Sequence, residues 1–167
     1  LFIDIEVDIA SGYPTPEEAQ NEVTSIAIYD EAGDQRCVWI LDKDQVVDNM
    51  TKPGYEVTSC IDEHTLLSKF LFKYYEIQPT LITGWNIDFF DIPYIYNRMV
   101  KILGEKQART LSPINDVIWL KHRNRYRISG VSCLDYMALY KNFTYNQESS
   151  YSLEAISQKE LGKGKMK

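Results

Sequence analysis

Residues 1–10, LFIDIEVDIA, set two acids, Asp4 and Glu6, inside an otherwise apolar run. Leu1, Ile3, Ile5 and Val7 alternate with Phe2, Asp4 and Glu6, the period of two that a β-strand imposes. One face of this strand is built for a protein interior. The other carries two like charges whose Cα atoms lie about 6.6 Å apart in an extended chain, so both carboxylates can aim at one point. Such a pair repels unless one acid is protonated or a cation lies between them, and a hard divalent ion such as Mg2+ or Mn2+ takes oxygen ligands. A half-exposed strand with a polar outer face gives the same pattern, so the spacing alone leaves both readings open.

Working outward, residues 8–21 hold Gly12, Pro14 and Pro16 and read as a loop. Residues 23–29 and 37–41 are β-prone runs joined by DEAGDQ, a hairpin turn, so the chain opens as a three-stranded meander. Residues 42–61 are irregular and broken by Pro53 and Gly54. Asp62 then caps a helix in which Leu66, Leu67, Phe70, Leu71, Tyr74 and Tyr75 recur at helical spacing until Pro79. A short buried strand follows at 80–84, and a second helix carries Ile95, Met99 and Ile102 along one face. A hairpin over 117–129, a strand at 131–134 and helices at 135–141 and 152–160 complete the map. Strands, then a helix, a strand and further helices make a mixed α/β domain, an order that suits a ribonuclease H-like fold.

The chain has 167 residues, enough for one domain with a real core. No apolar run approaches the roughly 20 residues that span a bilayer, and no signal sequence is visible. Cys37, Cys60 and Cys133 lie far apart with no CxxC spacing, which suggests neither zinc nor a disulfide framework. The net charge of −6 argues against nucleic-acid binding by bulk positive charge. A polyanion would have to be met by local basic groups or by bound metal. The chain starts on Leu1 inside a strand and stops in LGKGKMK, and both ends read as cuts in something longer.

The second informative stretch is residues 81–99, LITGWNIDFFDIPYIYNRM. It puts Asp91 after a buried strand and before a helix with Pro93 in its first turn, where proline is tolerated. Asp91 reads equally as a helix N-cap, and Asp88 as a neighbour whose side chain faces solvent.

DIE at 4–6 followed by GWNIDFFDIPY at 84–94 resembles the first two exonuclease motifs of family B DNA polymerases, D-x-E and N-x-x-x-F-D. The matching residues are Asp4 and Glu6, then Asn86, Phe90 and Asp91. Further stretches, RTLSPIN, VSCLDYMALYKNF and SSYSLEAIS, look like the polymerases of T-even-type tailed phages, so the resemblance runs through nearly the whole chain. It implies an α/β, ribonuclease H-like mixed sheet flanked by helices (the DnaQ-like 3′–5′ exonuclease fold), with residues 1–167 forming part of that domain. It further implies proofreading: hydrolysis of the 3′-terminal phosphodiester of single-stranded DNA by two divalent metal ions, Mg2+ or Mn2+, roughly 4 Å apart. On the resemblance Asp4 bridges both metals, Glu6 holds the one that activates water, and Asp91 supports the other through water. Asn86 and Phe90 shape the floor under the terminal nucleotide.

The implied partners are the primer 3′ end, the rest of a polymerase chain and a phage sliding clamp reached through other regions, in the cytoplasm of a bacterial host cell. The family's third motif, Y-x-x-x-D, is not found at any tyrosine, and its acid is expected after residue 167. The metal site is then incomplete and this stretch alone is expected to be weak or inactive. Val7 stands where many members carry threonine, which puts a hydroxyl contact to substrate in doubt. Competing readings are a non-catalytic single-stranded DNA-binding module and a different ribonuclease H-like nuclease acting on RNA or on structured ends.

KHRNRYR at 121–127 places Lys121, Arg123, Arg125 and Arg127 at alternate positions, so a strand would line all four on one face. Arg123 and Arg125 are candidates for phosphate contact. A charged, solvated hairpin edge accounts for the same row. Asp135, at a strand-to-helix junction, reads as a cap.

Overall fold

The computed structural model describes residues 1–10, 12–145 and 147–164. A mixed seven-stranded sheet has the order β4-β5-β3-β2-β1-β6-β9, and a separate two-stranded ribbon pairs β7 with β8. The strands are β1 (Phe2–Val7), β2 (Val23–Asp30), β3 (Gln35–Leu41), β4 (Met50–Lys52), β5 (Tyr55–Cys60), β6 (Leu81–Gly84), β7 (Val117–Leu120), β8 (Arg125–Ile128) and β9 (Ser132–Asp135). The helices are α1 (Glu63–Ile77), α2 (Asp91–Ile102), α3 (Glu105–Ala108), α4 (Tyr136–Phe143) and α5 (Leu153–Leu161).

The opening meander forms as its alternation predicts: β1 runs antiparallel to β2, and β2 to β3. The alternation is also a sorting of faces. Ile3, Ile5, Ile26, Ile28, Cys37 and Trp39 are buried against α1 and α2, whereas Phe2, Asp4 and Glu6 point to the opposite, open face. Residues 42–61, expected to be irregular, instead supply β4 and β5. The turn at Pro53 and Gly54 is a hairpin between them, and β5 lies parallel to β3.

Helix α1 starts where a carboxylate meets its free amides: Asp62 accepts from Thr65 N at 2.7 Å. It ends at Gln78, in the left-handed region at φ 48°, before Pro79. Leu66, Leu67, Phe70 and Tyr74 form its buried stripe. Helix α2 is bolted to α1 and to the loop before β2 by a buried ion pair. Arg98 donates to both Glu63 oxygens at 2.7 and 2.6 Å and to the Ala19 and Gln20 carbonyls, while Glu63 also accepts from Val23 N at 2.8 Å.

Strand β6 lies parallel between β1 and β9, and it comes close to β1 at its end. A Cβ on Gly84 would stand 2.5 Å from the Ile3 carbonyl oxygen and 2.6 Å from Ile87 Cγ2, so only glycine fits there. This close approach fixes the chain that follows β6 one residue from Asp4.

Candidate functional site

Strand β1 pairs in register with β6 at Phe2 and Thr83, and β6 ends one residue later, at Gly84. The Ile5 amide, midway between Asp4 and Glu6, would lack a strand partner. It is met instead by Asp91, whose Oδ1 accepts from Ile5 N at 3.1 Å. A side chain from the start of α2 thus stands in for the missing strand. The cap reading of Asp91 is corrected accordingly: Phe90 is the N-cap residue, no side chain caps α2, and Asp91 is the first helical residue with its carboxylate turned back to β1.

This placement is electrostatically costly. Asp91 is buried, and its carboxyl is pushed up to about 7, first by loss of hydration and next by the negative charge of Asp4. The Ile5 amide pulls the other way, and Asp135 adds a further push upward. Acids from two motifs some 85 residues apart in sequence are therefore held against one strand, with Asp4 and Glu6 on its open face and Asp91 beside it. Their oxygens are the donor type a hard divalent cation takes, and such a charge would offset their repulsion. Among the described residues, no three His, Cys, Asp or Glu side chains gather closely enough to hold a metal ion by themselves.

The turn between β6 and α2 carries the other residues singled out from sequence. Asn86 takes the left-handed conformation, φ 66°, and its carbonyl accepts from both Phe89 N and Phe90 N. Phe90 stacks on Tyr94 with ring centroids 5.5 Å apart, which pins the ring to α2. Trp85 donates from Nε1 to the Tyr151 carbonyl at 3.0 Å. A cleft of about 540 Å3 opens on the sheet face beside these residues, lined by Phe2, Asp4, Tyr29, Trp85, Tyr136 and Leu153 among others.

The basic row is broken. Residues 121–124 are the turn of the β7–β8 ribbon and β8 starts at Arg125, so the four side chains do not share a strand face. Arg123 is exposed in the turn, whereas Arg125 ion-pairs with Asp88 and Arg127 with Asp116. Asp88 does not face solvent: it is 5% exposed, and burial pushes its carboxyl up while Arg125 draws it back.

Asp135 caps α4, accepting from Met137 N at 2.9 Å and Ala138 N at 3.3 Å. It also accepts from Asn86 N and Asp88 N, both at 3.2 Å. The cap was legible in the sequence. The second pair of bonds was not, because its donors lie 49 and 47 residues away.

Residues 1–156 match the family described as DNA polymerase family B, exonuclease domain. Among curated proteins, the DNA-directed DNA polymerase of Escherichia phage RB69 is 34% identical over 191 residues, covering 98% of this chain and 21% of the relative. That of Enterobacteria phage T4 is 32% identical with the same coverage. DNA polymerase 1 of Sulfurisphaera ohwakuensis is 30% identical, covering the whole chain and 19% of the relative. The chain spans about a fifth of the length of these relatives.

Proposed function

The chain belongs to the family B DNA polymerase exonuclease domain family, and from that premise we propose that it is part of a proofreading 3′–5′ exonuclease. The substrate is the 3′ end of single-stranded DNA, and the reaction is hydrolysis of its terminal phosphodiester. The observation that carries this reading is the delivery of Asp91 onto the Ile5 amide, which brings the acids of two distant motifs to the same stretch of a central strand.

On this reading Asp4 and Glu6 present carboxylate oxygens from the open face of β1, and Asp91 adds a third acid from the side. Divalent cations held there, two Mg2+ or Mn2+ ions, would supply charge neutralisation and polarisation at the scissile phosphate. The sheet keeps the two β1 carboxylates at a fixed spacing, so little reorganisation accompanies substrate arrival. Phe90, pinned on Tyr94, and Asn86, held by its backbone, form the floor for the terminal nucleotide. Arg123, exposed at the tip of the ribbon, is the basic residue that would meet a phosphate of the incoming strand. The longer protein is a phage replicative polymerase acting with a sliding clamp in the host cytoplasm. In this chain no described helix is long and apolar enough to cross a membrane.

Release of a labelled 3′ nucleotide from single-stranded DNA in Mg2+ or Mn2+ tests the reading. Asp4→Ala and Asp91→Ala in the polymerase should each abolish excision while leaving the fold intact. Normal excision by Asp4→Ala refutes the assignment. A second reading, a non-catalytic single-strand-binding module, draws on the absence of a complete ligand set among the described residues. It requires DNA retention without metal-dependent turnover in the polymerase as well as in this chain.

A further inference from the structure

We infer that Asp135 is a positioning residue for the acidic site, and that its carboxylate sets where Asp91 and Asn86 stand relative to β1. The inference rests on the exonuclease reading above, and it concerns a residue whose carboxylate is taken up by four backbone amides.

Two independent structural tasks meet on this one side chain. Toward α4, Asp135 Oδ1 accepts from the Met137 and Ala138 amides, which is an ordinary helix cap. Toward the β6–α2 turn, Oδ1 accepts from Asn86 N and Oδ2 from Asp88 N. The cap needs only one oxygen. The second pair of bonds binds β9 to a turn that has no regular ladder of its own, and it spans the residues at which the chain reverses, including left-handed Asn86. Three residues beyond Asp88, that turn delivers Asp91 onto Ile5 N.

The surroundings make the lock rigid. Gly84 and Asp135 are register partners in the parallel β6–β9 pair, and Thr83 Oγ1 donates to the Leu134 carbonyl at 2.7 Å just before it. Below the turn, Asp88 uses its carboxylate on Arg125 of the ribbon, so the same residue is held by its amide from one side and by its side chain from the other. With four amide donors and 4% exposure, Asp135 is committed to the backbone. Groups that orient ligands without being ligands commonly change metal affinity or activity by roughly 10- to 100-fold when lost.

Asp135→Ser separates the two tasks at Asp88, because a serine hydroxyl can replace Oδ1 at the α4 cap but supplies no second oxygen for the Asp88 amide. The probe is Mn2+ alone, titrated into this chain and followed by its electron paramagnetic resonance signal, with amide hydrogen exchange on the same samples. The expected result is Mn2+ affinity weakened about tenfold, with faster exchange at residues 86–91 and unchanged exchange in β2 and β3. Arg125→Met, which loosens the same turn from the other side, should give the same pattern at smaller size and serves if the serine variant fails to fold. In the polymerase, kcat for excision should fall with KM for an oligonucleotide unchanged. Unchanged Mn2+ affinity and turn exchange in both variants overturn the inference. If Asp4→Ala abolishes Mn2+ binding and those two variants do not alter it, the positioning role alone is lost. If Asp4→Ala leaves Mn2+ binding and excision intact, the exonuclease reading falls with it.

Discussion

Glu63 and Asp91 are two carboxylates buried to the same depth, 5% and 4% exposed, at the first residues of α1 and α2. Their surroundings differ completely. Glu63 faces the Arg98 guanidinium through two hydrogen bonds and accepts a backbone amide as well, so its charge is matched within the chain. Asp91 has one strand amide and the negative charge of Asp4 for company, and among the described residues no cation pairs with it. A buried acid with its own arginine belongs to the scaffold. A buried acid set beside another acid stays unfavourable until something positive arrives, and that difference supports the acidic end of β1 as the working end proposed above.

The largest expected effect tests the matched acid. Arg98→Met should leave Glu63 buried without its cation and cost about 3–5 kcal/mol of unfolding free energy by denaturant titration at pH 7.5. The double variant Glu63→Gln with Arg98→Met should recover much of that loss, since neither charge then remains. If Arg98→Met is nearly neutral, the two acids are not the opposites described.

The unmatched acid should behave with the opposite sign. The Asp91 carboxyl is raised from 3.8 to about 7 in the folded state, so the fold takes up its proton more readily than the unfolded chain does. Its contribution to stability is complete below about pH 4 and is lost as pH rises through 7. In buffer with EDTA, Asp91→Asn should flatten this slope and stabilise the chain at pH 7.5 by up to roughly 4 kcal/mol. The asparagine oxygen can still accept from Ile5 N. The same substitution should remove excision from the polymerase, so stability and activity move in opposite directions. A variant that is less stable than the parent at pH 7.5 breaks the comparison.

A smaller effect is expected where the unmatched site is held in place. Gly84→Ala would force the β6 end away from Ile3 and should cost roughly 1–3 kcal/mol. Because the displaced backbone leads directly to the Asp91 turn, Mn2+ affinity should fall together with stability.

The sequence carried the scaffold more clearly than the site. The alternation in β1 and the stripe of Leu66, Leu67, Phe70 and Tyr74 are local patterns, and both elements formed where their periods put them. Strand β5 escaped notice because its inward residues, Thr58 and Cys60, are small or polar, so burial left no hydrophobic alternation, and its partner β3 is reached in parallel. The family resemblance singled out Asp4, Glu6 and Asp91. Local chemistry could not tell a helix cap from an acid turned toward a strand, since both place an aspartate just before an apolar helix. Asp88 and the far half of the Asp135 network were illegible for a related reason. Burial of Asp88 depends on Arg125, and the bonds of Asp135 depend on amides brought near only by the β6–β9 pairing.

The smallest effect separates capping from positioning. Asp62 caps α1 through Thr65 N and is held below the ordinary carboxylate range by that amide. Its depressed carboxyl contributes stability above the unfolded value that is lost as pH falls through the folded one. Asp62→Ala should therefore lower Tm by only about 3 °C at pH 7 and by less at pH 3. Helix α1 packs on the face of the sheet opposite the side chains of Asp4 and Glu6, and Asp62 makes no bond to the β6–α2 turn among those described. Mn2+ affinity should accordingly stay at the parent value in Asp62→Ala and fall in Asp135→Ser. Equal losses in the two variants would mean that helix stability in general, and not the bonds from Asp135 to the turn, controls the acidic site.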